Sequence, residues 1–179
     1  MKDSKILVTY FSVFPAEEKF TEQIAKIIAQ KTDGTLIEIQ CEKTYPGKPE
    51  EYPKIEKIVH QEIKDDIRPG IKNDIPIKEY DTIFVGYPIW HYTLPQVMLT
   101  FFDKYDFSGK TIIPFNTHEG SRDSGTWELI QKLEPAAKIL KGLAIRGFDV
   151  EKGQEQTVEK WLNELNVSCD RKWEEVKNE

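Results

Sequence analysis

The chain has 179 residues, the usual size of one domain, and a chain of this length buries about 70% of its unfolded surface on folding, enough for one sizeable core. Its 31 acidic and 25 basic residues leave a formal charge of −6 with no block of lysines or arginines, which argues against capture of nucleic acid or anionic lipid. Cys41 and Cys169 form no C-x-x-C and have no histidine cluster beside them, which excludes a disulfide scaffold and a cysteine-built metal centre and fits reduced thiols in a cytoplasmic protein. The apolar run in MKDSKILVTYF is too short for the core and cleavage region of a secretory leader, and no later run reaches membrane length, so a cytosolic protein is expected.

ILVTYF, from Ile6 to Phe11, is a nearly continuous β-rich apolar run, the pattern of a strand buried on both faces of a parallel sheet. Phe20, Ile24, Ile27 and Ile28 then recur at helical spacing, and TDG closes that helix with a glycine suited to its C-terminal cap. TLIEIQ, from Thr35 to Gln40, alternates as a second strand at a sheet edge. A crossover rich in proline, glycine and charge follows, with a helix over about 49–64 that turns Ile55, Ile58, Val59 and Ile63 inward. DTIFVGYP (Asp81 to Pro88) is the third strand and LPQVMLTFFDKY the next helix. KTIIPFN (Lys110 to Asn116) is the fourth strand, followed by the polar loop THEGSRDSG and a helix through TWELIQKL. KGLAIRG (Lys141 to Gly147) is a short fifth strand, EQTVEKWLNEL the last helix, and residues 167–179 a charged tail expected to be loosely attached. Five βα units without a repeat predict an α/β fold, a doubly wound parallel sheet with helices on both faces, in one domain over 1–166.

Such sheets bind ligands beyond the carboxyl ends of their strands. The loop after the third strand places Trp90, His91 and Tyr92 in succession between two prolines, and three bulky rings are costly to leave facing water without a use. The loop after the fourth offers Asn116, Thr117, Ser121 and the backbone N–H groups around Gly120. Together they describe a slot with an aromatic wall and a polar wall, suited to a flat heteroaromatic ligand.

YFS at the end of the first strand, VGYPIWHYTLPQVMLTFFDKYDFSGKTIIPFNTHEGS across the third and fourth strands, and GLAIRG with VEKWL near the end resemble the flavodoxin family, specifically its bacterial members with a P-I-W loop. The likeness covers residues 5–166 and is most specific from Gly86 to Ser121. It implies a five-stranded sheet in the order 2-1-3-4-5, FMN at its carboxyl edge, and electron transfer to a redox partner protein or reduction of a small acceptor. By position, Ser12 and Thr21 match the ends of the family's phosphate loop. Pro88, Ile89, Trp90 and His91 match the loop beside the ring, and Asn116, Thr117, His118 and Gly120 the loop at its pyrimidine edge.

The phosphate loop departs from the family's S-x-T-G-N-T. VFPAEEKF separates Ser12 from Thr21, the glycine, asparagine and inner threonine are missing, Pro15 has no N–H, and Glu17 and Glu18 oppose an anion with Lys19 alone against them. PAEE reads instead as a helix start complete in itself, with proline first and glutamates meeting the dipole. Losing two or three charge-assisted hydrogen bonds, each about 1.5–3 kcal/mol, lowers phosphate affinity by a few powers of ten. The sequence therefore leaves open an FMN-binding electron carrier, an NAD(P)H-linked quinone or flavin reductase, and a flavodoxin fold turned binding module. No glycine lies between Tyr87 and Leu94, where the family usually keeps one for a backbone flip beside the ring.

Other chemistries are excluded. HEGSRDSG lacks the G-x-S-x-G elbow of hydrolases, and YFS and GYP lack the carboxylates of response-regulator receivers. His91 and His118 are expected as loop hydrogen-bonders and His60 as an exposed helix residue. Trp90 as a packed cap of the sheet end and Ser12 as a plain strand terminator remain the alternatives to ligand contact.

Overall fold

The computed structural model describes residues 5–13 and 19–167. The expected helix start at PAEE and the tail from residue 168 lie outside the described residues.

The sheet centres on β1 (Ile6–Tyr10), β3 (Thr82–Pro88) and β4 (Thr111–His118), all parallel and in register so that Tyr10, Gly86 and Phe115 stand side by side. β2 (Thr35–Glu38) adds to the free side of β1 and is half-exposed, as its alternating sequence implies. The order β2-β1-β3-β4-β5 is the one that the family resemblance implies.

The fifth position differs from expectation. In place of one strand over 141–147 it holds β5 (Lys138–Ile139) and β6 (Leu143–Arg146), both parallel to β4. Ile112 pairs with Ile139 and Phe115 with Leu143, so one chain advances by one residue more than the other between these anchors. The extra residue lies opposite Pro114, which has no N–H to give a ladder, and beside Gly142, where a Cβ would stand 2.4 Å from the Trp127 ring.

Strand side chains alternate between two cores. Leu7, Ile83, Val85, Tyr87 and Ile112 face α2 (Tyr52–Lys64), α3 (Gln96–Lys104) and α4 (Thr126–Leu133). Val8, Tyr10, Phe84, Ile113 and Phe115 face α1 (Phe20–Thr32) and α6 (Glu155–Glu164), with the short α5 (Gly147–Val150) between β6 and α6. Each fully buried large side chain contributes about 1.5–3 kcal/mol, which is why these elements hold together despite modest helix lengths. The cap of α1 is a small correction: Asp33, not Gly34, takes the left-handed position at φ 53°, a conformation aspartate tolerates through local hydrogen bonding. No helix among the described residues is long and apolar enough to cross a membrane.

Gly86 is required by close approach. A Cβ there would meet the Phe115 ring at 2.2 Å, and that ring is 1% exposed and has nowhere to swing. Gly86→Ala is expected to cost about 1–3 kcal/mol, lowering the thermal midpoint by roughly 2–4 °C per kcal/mol; circular dichroism melts check this, and an unchanged midpoint would contradict it.

Candidate functional site

A cavity of about 450 Å³ opens at the carboxyl ends of β3 and β4. Helix α2 supplies one wall through Tyr52, Ile55, Glu56 and Val59, residues spaced i, i+3, i+4 and i+7 on one face. The loop after β3 supplies Pro88, Ile89, Trp90, His91 and Tyr92, and the end of β4 supplies Thr117, His118, Glu119, Gly120 and Ser121, with Phe20 of α1 closing the remaining side.

The loop after β3 is a tight reversal. Trp90 and Thr93 exchange backbone hydrogen bonds of 3.1 and 3.0 Å, and the two residues between them, His91 and Tyr92, both lie in the left-handed region at φ 49° and 61°. This is the arrangement of a type I′ turn, which favours Asn-Gly. For side-chain-bearing residues it costs roughly 1–2 kcal/mol each. The turn faces Tyr92 outward, 75% exposed, and brings His91 Nε2 to 3.5 Å from Nδ1 of His60 on α2.

Trp90 does not share that exposure and is packed at the sheet end, the alternative that its sequence context left open. It is 9% exposed and packs edge-on against Tyr45 (4.9 Å between centroids) and Phe11 (5.4 Å) while still lining the cavity. Behind it, the Tyr45 hydroxyl donates to both carboxylate oxygens of Glu62 at 3.0 and 3.1 Å, and Lys43 Nζ lies 2.5 Å from the same carboxylate. Glu62 is 1% exposed, and a charge so buried persists only with such partners. Burial, reinforced by the Glu62 charge, pushes the Tyr45 hydroxyl above its ordinary value and keeps it a donor.

The residues expected in the loop after the fourth strand begin inside β4, because Tyr87 and Pro88 of β3 and Ala144 to Arg146 of β6 continue the ladder through Asn116, Thr117 and His118. Asn116 is spent internally: its Nδ2 donates to the Arg122 carbonyl at 3.0 Å and its Oδ1 accepts from Trp127 Nε1 at 3.3 Å. The Thr117 and Thr21 hydroxyls share a hydrogen bond of 2.8 Å, tying the first turn of α1 to β4. Gly120 N–H donates to His118 Nδ1 at 2.9 Å.

Of the residues singled out by sequence, Pro88, Ile89, Trp90, His91, Thr117, His118 and Gly120 line the one cavity, whereas Asn116 and Thr21 are held by internal bonds outside it. Ser12 is buried, its Oγ without a hydrogen-bond partner among the described residues, and it lines a separate cavity of about 310 Å³ between the ends of β1 and β2 with Lys19, Lys43 and Lys72. Sequence reasoning missed Tyr52 and Glu56, although they share the helix face of Ile55 and Val59. It also missed Glu119, which burial pushes above its ordinary value against the opposing charge of Arg146. Among the described residues no three His, Cys, Asp or Glu side chains converge as metal ligands do.

Burial, with Arg146 and Arg122 nearby, holds the His118 imidazole below its ordinary value, and the Gly120 bond needs its Nδ1 unprotonated. A group depressed on folding stabilises fully above its unfolded value of about 6.5 and loses that contribution as pH falls below it. Stability is therefore expected to drop on acidification from about pH 7 to 5, and His118→Asn to flatten that slope in urea titrations. Tyr92→Gly, which relieves a left-handed residue with little packing to lose, is expected to raise stability by up to about 1 kcal/mol, whereas Tyr92→Ala is not.

A family model described as Flavodoxin matches residues 5–165. No curated protein matches the sequence at a significant level. Among solved structures, a presumed flavoprotein of Bacteroides uniformis is 34% identical, with a TM-score of 0.76 over 90% of this chain and 99% of its own. One of Bacteroides eggerthii is 28% identical, with a TM-score of 0.78 over 93% and 100%. A Lactobacillus acidophilus flavoprotein solved in complex with FMN shares the fold at 23% identity and a TM-score of 0.64, over 83% and 97%. With its strand order and a match that spans nearly every described residue, the chain belongs to the flavodoxin family.

Proposed function

We propose that the protein is a flavin-binding redox protein that holds FMN by its ring in the cavity above β3 and β4 and passes electrons to a partner protein or a small acceptor. The observation that carries this reading is the pairing of two walls. Tyr52 and Tyr92, 45% and 75% exposed, flank one side of the cavity, and the polar segment Thr117–Ser121 forms the other. The volume lies within the range of pockets that enclose small ligands.

When bound, FMN supplies the redox chemistry; the chain supplies orientation and exclusion of water. Ile55, Val59 and Ile89 give the cavity its apolar lining. His118, with Nδ1 accepting from Gly120, carries its proton on Nε2 and offers a donor at the polar wall. Glu56 and Glu119 disfavour added negative charge on the ligand. FMN in the Lactobacillus flavoprotein of the same fold supports the choice of cofactor. An interaction module without cofactor is the competing reading, favoured by a first turn of α1 whose Thr21 hydroxyl and Lys19 ammonium are already bonded within the chain.

Titration of the purified apo-protein with FMN, followed by quenching of flavin fluorescence, tests the proposal. Saturable binding is expected, with Tyr52→Ala and Tyr92→Ala each weakening it roughly two- to tenfold. A protein that leaves FMN fluorescence unchanged would favour the interaction module.

A further inference from the structure

We propose that this site selects its ligand by the flavin ring and takes the unphosphorylated flavin, riboflavin, about as readily as FMN; this rests on the flavin reading above. By the family's pattern, a ribityl phosphate would meet the chain at the beginning of α1. The Thr21 hydroxyl there is 1% exposed and committed to Thr117 at 2.8 Å. Lys19 is committed twice, with Nζ 3.3 Å from Glu22 and 3.3 Å from Glu38. Lys26 is bound to the other oxygen of Glu22 at 2.6 Å. Burial alone would raise the Glu22 carboxyl, yet the hydrogen bonds from Lys26 and Lys19 outweigh it and hold the group below its ordinary value.

Helix α1 thus carries its own anion in its first turn, where the macrodipole favours one. A phosphate dianion arriving here must displace Glu22 from two lysines or sit beside it unneutralised. The composition of the preceding segment adds to the mismatch, since Glu17 and Glu18 bring further negative charge and Pro15 has no N–H.

The remaining lysines of this region do not make up the deficit. Lys43 and Lys72 line the cavity between β1 and β2, which has no lining residue in common with the ring cavity, and Lys43 is paired with buried Glu62. The packed rings of Phe11, Tyr45 and Trp90 stand between the two. The ring end offers a shaped, partly aromatic cavity, whereas at the start of α1 the Thr21 hydroxyl and the Lys19 and Lys26 ammonium groups are already used, and among the described residues there the buried Ser12 hydroxyl is the side-chain donor left over. Recognition therefore falls on the part of the ligand that riboflavin and FMN share.

Parallel titrations of the full-length apo-protein with riboflavin and with FMN, at low and at high salt, decide the matter. Dissociation constants within about tenfold of each other, with little salt dependence, are expected. FMN binding tighter by more than that overturns the inference and leaves the flavin reading intact. Failure of both ligands to bind removes the flavin reading and this inference with it. Glu22→Gln, which removes the anion from the first turn and frees Lys26 while Lys19 keeps Glu38, is expected to tighten FMN selectively while leaving riboflavin unchanged, and equal effects on the two ligands would count against it.

Discussion

Burying the carboxylate of Glu62 sets the terms for one whole side of the molecule. A charge that is 1% exposed must be neutralised and hydrogen-bonded where it stands, and Lys43 and Tyr45 do so from a stretch of chain that is otherwise polar and irregular. That requirement pulls the segment after β2 onto α2, and the Tyr45 ring, held by its hydroxyl, becomes the surface on which Trp90 packs. Gln96 at the start of α3 donates to the backbone carbonyl of Glu62 as well, so three elements meet at one helix position. The Trp90 wall of the cavity takes its backing from a buried pair of charges that lies outside the cavity lining.

Much of the architecture was legible because apolar runs and helical spacing report burial directly. Ile6–Tyr10, Thr82–Pro88 and the face of α2 fall where their patterns place them. What escaped was set by contacts distant in sequence. Tyr45 and Glu62 are individually unremarked polar residues, and their pairing appears only when the crossover folds back. Trp90 reads as a loop aromatic, but the bond exchange with Thr93 turns it under the loop and leaves Tyr92 outside. Asn116 has the chemistry of a ligand donor and spends it on Arg122 and Trp127, latching β4 to the loop and helix that follow it.

The two ends of the sheet's carboxyl edge differ in character. At the ring end, strain is tolerated: two consecutive left-handed residues without a glycine hold an exposed tyrosine over a cavity. At the start of α1 Lys19 is left-handed too, at φ 43°, but the side chains are internally satisfied, through Thr21 with Thr117 and Lys19 and Lys26 with Glu22. Strained backbone persists where surrounding structure over-determines it and clusters where a protein does its work. Strain marks both ends, so the difference between them lies in the side chains already paired at the start of α1, on which the proposed selectivity for the ring rests.

The additional residue opposite Pro114 has a reach beyond the sheet margin. Pleated strands send successive side chains to opposite faces, so one inserted residue shifts the phase of everything after it. Leu140 and Leu143 both pack toward the α1 side, although an uninterrupted strand would send them to opposite faces, and Ile145 follows the shifted phase. Two residues later the chain delivers Gly147 directly beneath Phe20 and Glu119, with space for no side chain. Excising one residue at 141–142 would put Leu140 and Leu143 two apart on one face of a regular strand, so the irregularity absorbs a surplus residue and lets a longer outer chain deliver Leu143, Ile145 and Gly147 in phase with β4.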